Sequence, residues 1–68
     1  MEQMFKDWLA ANGIELEAII FRSPRDWCAD QYIFRFKVGD DDWSGPHILP
    51  WGIDTLVNAQ EIIGKAKP

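Results

Sequence analysis

The sequence predicts an α+β fold in the order helix, strand, strand, strand, helix, with residues 1–68 forming one domain. Three observations carry the prediction. Apolar residues recur at helical spacing at both ends of the chain, in Met1 to Leu9 and again in Gly52 to Lys65. Between these ends, Ile14 to Arg22 and Gln31 to Val38 read as strands. Written antiparallel, the two strands place Ile14, Leu16, Ala18 and Ile20 against Val38, Phe36, Phe34 and Tyr32 on one face. The same register sets Glu15 against Lys37, Glu17 against Arg35, Ile19 against Ile33 and Phe21 against Gln31 on the other. A slip by one residue destroys both the apolar set and the two opposite-charge pairs.

The first helix is expected over residues 2–12. Met1, Met4, Phe5, Trp8 and Leu9 share one face, while Glu2, Gln3, Lys6 and Asp7 take the other. Asn12-Gly13 ends it, with Gly13 in the left-handed conformation beyond the last turn. After the first strand, Ser23-Pro24-Arg25-Asp26-Trp27-Cys28-Ala29 is too long for a two-residue hairpin, and its proline stops the strand, so it forms an irregular loop carrying a large aromatic.

Gly39-Asp40-Asp41-Asp42 is a hairpin loop into a third strand near Trp43 to Leu49. Pro46 has no N–H for a ladder, which makes this strand an edge. Setting Val38 opposite Trp43 puts Gly45 against Phe36 and His47 against Phe34; a slip by one would turn Ile48 inward instead, and the first register is the one expected. The strands thus form an antiparallel meander with Gln31 to Val38 in the middle.

In Gly52 to Lys65, Asp54, Asn58, Glu61 and Lys65 collect on a narrow arc, leaving Ile53, Leu56, Val57, Ala59, Ile62, Ile63 and Ala66 around the remainder. This helix is expected to lie on the Leu16, Phe34, Phe36 face. Asp54 is its expected N-cap, accepting the N–H of Leu56 or Val57. Lys65 to Pro68 is expected to be a frayed tail. The place of the first helix stays open. Either it covers the Ile19, Phe21, Ile33 strip and makes three layers, or it packs beside the last helix and leaves that strip exposed.

Composition narrows the functional classes. Hydrophobic residues form 47% of the chain, with four Trp and four Phe, which argues for a packed core over disorder. A net charge of -4 and a pI near 4.6 repel phosphate backbones and anionic membranes. Direct binding to nucleic acid or membrane is therefore not expected, whereas a protein partner with a basic surface is. The lone Cys28 forms no internal disulfide, and Met1 is followed by no apolar signal segment, so a cytoplasmic setting is expected.

Chemistry finds little footing. Asp40, Asp41 and Asp42 lack the alternating ligands and terminal Glu of an EF-hand loop and read as a solvated turn. Cys28 and His47 would be the nucleophile and base of a minor enzyme or the lining of a ligand module, but no nucleophile elbow, oxyanion glycine run or second His accompanies them. Arg22, Arg25, Arg35 and Lys37 lie near aromatics as in single-strand nucleic-acid platforms, yet Glu15 and Glu17 neutralise Lys37 and Arg35 in the expected register. No catalytic, cofactor or metal residue is assigned.

The aromatics outside the expected core say more. Trp27 stands in a loop, Trp51 in the Leu49-Pro50-Trp51-Gly52 corner, and Ile19, Phe21 and Ile33 form an apolar strip on the second sheet face. Apolar patches with Trp and Arg nearby mark protein interfaces when exposed. Trp27, Trp51, Ile19, Phe21 and Ile33 are the protein-binding candidates, with Asp41 as a charge that guides approach.

From Pro24 onward, Pro24, Trp27, Cys28, Tyr32 and then Gly52, Ile53 and Asp54 resemble a family of small bacterial domains of unknown function, marked by a Pro-x-x-Trp-x-Cys-like approach to a strand and a Gly-hydrophobic-Asp start to a final helix. After Asp54 the chain carries Val57-Asn58 where the family has a Gln-Ala pair. The resemblance covers residues 24–63 and implies a sheet followed by a covering C-terminal helix; it implies no activity. Size, charge and aromatic excess lead to the expected function, a small acidic protein-binding module such as the inhibitors, immunity proteins or adaptors of phages and bacteria. The alternatives are the Cys28 and His47 module above and a structural homodimer joined through the Pro46 edge or the Ile19, Phe21, Ile33 strip.

Overall fold

The computed structural model describes residues 2–66. Its elements are α1 (Glu2–Ala11), β1 (Ile14–Phe21), β2 (Gln31–Val38), β3 (Ser44–Pro50) and α2 (Thr55–Ala66), in the expected α-β-β-β-α order. The sheet is antiparallel, with β2 between β1 and β3. All eight expected β1–β2 pairs are present, from Ile14 opposite Val38 to Phe21 opposite Gln31. No helix among the described residues is long and apolar enough to cross a membrane.

Helix α1 ends as the Asn12-Gly13 pair dictates. The Asn12 N–H is shared between the carbonyls of Trp8 and Leu9, each at 3.2 Å, and Gly13 adopts φ +65°. The Gly13 carbonyl then accepts the N–H of Gly39 at 3.0 Å, tying this turn to the β2–β3 hairpin.

Both helices lie on the same sheet face, so the molecule has two layers. Phe5, Leu9, Ile14, Tyr32, Phe34, Phe36, Ala59 and Ile63 are buried in a single cluster, flanked by half-buried Trp8, Leu16, Val38, Leu49, Leu56 and Ile62. The expected three-layer alternative is thereby overturned. Laying α1 on the other face would have desolvated Glu15, Glu17, Arg35 and Lys37, whereas beside α2 its Phe5 and Leu9 meet the sheet and a second helix at once.

The helical faces are narrower than their apolar arcs suggest. On α1 only Phe5 and Leu9 are buried and Met4 is exposed; Met1 lies outside the described residues. On α2 burial falls on Thr55, Ala59 and Ile63, one turn apart, while Val57, and Ile53 in the turn before the helix, face solvent. The reason is coverage: two helices of about 15 and 18 Å shield each other along only one side, so an arc wider than one stripe finds nothing to meet. The tail expectation is corrected too, since Lys65 and Ala66 continue α2. Lys67 and Pro68 lie outside the described residues.

The entry to α2 is held by Thr55 in place of the expected Asp54 carboxylate. Thr55 Oγ1 accepts the Gly52 N–H at 2.6 Å and donates to the Pro50 carbonyl at 2.8 Å, and Asp54 contributes its backbone carbonyl to Asn58 N–H at 3.0 Å. Thr55 is buried because it faces the sheet while closing this corner.

Strand β3 is the edge that Pro46 predicts, and His47 stands opposite Phe34 as expected. One part of its register differs. Phe36 pairs with Ser44 and not with Gly45, because Gly45 and Pro46 together oppose Arg35 in a β-bulge. Gly45 adopts φ +124°, and a Cβ there would sit 3.0 Å from both Arg35 Cβ and the Phe34 carbonyl oxygen. No other residue type fits without movement.

Candidate interaction surface

Among the described residues, no helix or loop covers the second sheet face. Ile19, Ile33 and Ile48 are successive partners across β1, β2 and β3 and form one transverse row. Ile19 is 62% exposed and Ile48 57%, and Phe21, one row further along, is 52% exposed. Ile33, in the centre, is half-buried by its neighbours. A shallow open depression of about 640 Å³ runs over Glu17, Ile19, Ile33, Arg35 and Pro46.

On the other side of this row lies a charged one. Arg35 Nε donates to Glu17 Oε1 at 2.6 Å, and Lys37 Nζ lies 3.8 Å from Glu15 Oε1. Trp43 covers both cations, with the Arg35 guanidinium 4.5 Å and the Lys37 ammonium 5.6 Å from its ring. The face therefore has an apolar row bounded by a stiffened rim of matched charges and one indole.

The predicted binding residues divide. Ile19, Phe21 and Ile33 come together on this face. Trp27 is 77% exposed in the β1–β2 loop, its ring under the Arg25 guanidinium at 5.4 Å. Trp51 is 39% exposed and packs against Tyr32 at 5.6 Å, on the helix side of the sheet. Asp41 belongs to the exposed tip at the opposite end of the strands from Trp27, its N–H bonded to the Val38 carbonyl at 3.0 Å. Trp43, Pro46 and Ile48 were missed as face residues. For Ile48 the signal was available, because setting His47 inward against Phe34 turns Ile48 outward by strand alternation; Trp43 precedes the strand, and its position depends on the bulge.

The β1–β2 loop is organised by two short-range motifs. The Ser23 N–H bonds Asp30 Oδ1 at 2.8 Å, and Ser23 Oγ accepts the Arg25 N–H at 3.3 Å. The Asp30 carbonyl accepts the Trp51 N–H at 2.7 Å, joining this loop to the end of β3.

On the helix side, Phe5, Leu16, Ala18, Ile20, Tyr32 and Trp51 line a groove of about 500 Å³, with Glu2 at its rim. Burial pushes the Tyr32 hydroxyl above its ordinary value of 10.0, and the Glu2 carboxylate adds to the shift.

Cys28 and His47 are not brought into a common site. Cys28 is half-buried in the β1–β2 loop, its N–H on the Arg25 carbonyl at 3.1 Å. His47 packs against Phe34 and stacks on Phe36, with ring centroids 5.2 and 5.5 Å away, and its Nε2 lies 3.1 Å from Ser44 Oγ. That bond spans the Gly45-Pro46 bulge and clamps it. Among the described residues, no three or more His, Cys, Asp or Glu side chains are grouped to hold a metal ion. Comparison with protein-family models, with curated proteins and with solved structures finds no match to this chain.

Proposed function

We propose that this chain is a small acidic protein-binding module of the inhibitor, immunity or adaptor kind, acting in the cytoplasm, and that it receives its partner on the bare face of the sheet. The observation that carries the reading is the uncovered row of Ile19, Ile33 and Ile48 with Phe21 beside it, bounded by the Glu17, Arg35 and Trp43 cluster. An apolar centre with a polar, arginine- and tryptophan-bearing rim has the anatomy of protein interfaces. Trp27, exposed in the loop that follows Phe21, is a further anchor. Net charge of -4 speeds encounter with a basic partner, and Asp41 contributes to that steering from a position remote from the row.

A photo-crosslinking residue at position 48, introduced in the native host, identifies the partner. Titration then compares wild type with Ile48→Lys and with Met4→Lys, which changes an even more exposed apolar residue on the helix side. The expected result is a loss of at least about tenfold in affinity for Ile48→Lys, typical of a central contact, and little change for Met4→Lys. Crosslinking from position 4 but not 48, or the reverse order of affinities, overturns the reading.

A further inference from the structure

The two edges of the sheet are unequal. β3 is guarded by the Gly45-Pro46 bulge, by Pro46 itself and by Pro50 at its end. β1 has neither proline nor bulge, its only charges, Glu15 and Glu17, fall in its N-terminal half, and all eight residues pair regularly with β2 on the inner side. Among the described residues, no strand neighbours its outer side. The C-terminal half of β1 is also exposed on both faces, since Ala18 and Ile20 lie beyond the cover of the helices while Ile19 and Phe21 lie on the bare face.

We infer that a second copy of this chain occupies that edge, β1 pairing antiparallel with β1 of its partner about a two-fold axis at Ile19. The charge pattern of the strand favours a second copy as occupant and narrows the register. Glu15 and Glu17 fall in the N-terminal half, Ala18 to Phe21 are apolar, and Arg22 and Arg25 follow immediately. An antiparallel self-pairing brings the basic flank of each copy to the acidic end of the other, with Arg22 on the helix side and Glu15 and Glu17 on the bare face by strand alternation. An axis at Glu17 would set that carboxylate against itself, and one at Leu16 would set Glu15 against Glu17; both are repulsive. An axis at Ala18 opposes no like charges but brings Glu17 of one copy diagonal to Glu17 of the other, and an axis at Ile20 leaves only three strand residues overlapped. With the axis at Ile19, Ala18 faces Ile20, Glu17 faces Phe21, and Arg22 comes opposite Leu16, next to Glu2 at the rim of the helix-side groove.

The pairing makes a six-stranded sheet with all four helices on one side. It also joins the two bare faces, so that the row Ile48, Ile33, Ile19 continues into Ile19, Ile33, Ile48 of the second copy. One face spans roughly 14 by 26 Å, about 370 Å², under half of the roughly 800 Å² that each partner contributes to a stable complex. Two faces together approach that area. The dimer stands independently of the partner-binding function proposed above, because it is measured on the isolated chain.

Sedimentation from micromolar to millimolar concentration tests the assembly, and the expected result is a concentration-dependent shift from one chain to two. Ile19→Lys is expected to weaken the dimer by at least about tenfold, since it sets like charges together on the axis, while Ile48→Lys leaves it unchanged; far-UV circular dichroism checks that both variants fold. In a Cys28→Ser background, Ile19→Cys should form an intermolecular disulfide under mild oxidation, because directly opposed residues in an antiparallel pair lie within bridging distance. Glu15→Cys and Ile48→Cys should not. A chain that stays monomeric throughout, a dimer indifferent to Ile19→Lys, or crosslinking through Ile48→Cys in place of Ile19→Cys overturns the inference. The last outcome would mean that copies stack face to face.

Discussion

The two faces of this sheet are made by the same three strands, yet one is a core and the other is open. Tyr32, Phe34 and Phe36 on one side are buried; Ile19, Ile33 and Ile48 on the other are equally apolar, and two of the three are mostly exposed. Side-chain hydrophobicity does not separate them. What separates them is the adjoining row: the covered face is apolar along its length from Ile14 to Tyr32, whereas the open face has four charged residues where a helix would have to lie. A face can be apolar enough to need a cover and still be too charged for the chain's own helices.

The largest expected effect that sharpens this contrast is Ile63→Ala. Ile63 is fully buried in the cluster, so its truncation should cost about 2–5 kcal/mol, while Ile48→Ala on the open face should stay within about 0.5 kcal/mol. Urea unfolding of the two variants measures the difference, and similar costs would show that the open face contributes to folding stability as a core does. Next is Gly45→Ala. The φ of +124° and the 3.0 Å approach to Phe34 and Arg35 predict a destabilisation of about 1–3 kcal/mol. Wild-type-like melting would mean that the bulge relaxes freely and that the placement of Trp43 and Pro46 on the open face is not fixed by it.

Smaller effects distinguish the rims. A double-mutant cycle on Glu17 and Arg35 should give a coupling of about 0.2–1 kcal/mol, because both side chains remain about half in solvent and water screens their attraction. A coupling several times larger would show that the charged row is shielded in solution, as an occupied interface would make it. The smallest effect belongs to the covered face. The pKa of Tyr32 is raised on folding, so its contribution to stability is fully present below about pH 10 and is lost as pH rises through the higher folded value. Tyr32→Phe should flatten the alkaline limb of a stability-against-pH curve; an unchanged limb would assign it to other groups.

Much of this was legible in the chain because the relevant forces are local or pairwise. The Asn12-Gly13 ending needs only one residue with positive φ, and the β1–β2 register follows from four apolar and two opposite-charge pairs that agree. The third strand was legible as an edge through Pro46, but its bulge was not: whether Gly45 or Ser44 faces Phe36 depends on how Arg35 and Phe34 pack against the glycine, which no period of the sequence encodes. Thr55 escaped notice for a similar reason, since its hydroxyl acts on Pro50 and Gly52 only once the corner has formed. Trp27 and Trp51 looked alike in their proline-flanked settings, and their unequal exposure reflects the presence of Tyr32 beneath one ring alone.

By itself, then, the sequence determined the five elements, their order and the pairing of the first two strands, because periodicity, capping and cross-strand charge act over one turn or one strand spacing. Only the tertiary structure decided on which side α1 lies, and with it which apolar row is core and which is surface. An amphipathic helix specifies that one stripe must be buried but not against what. That choice depends on the total area the two helices shield together and on the four charges that burial on the other face would have removed from water.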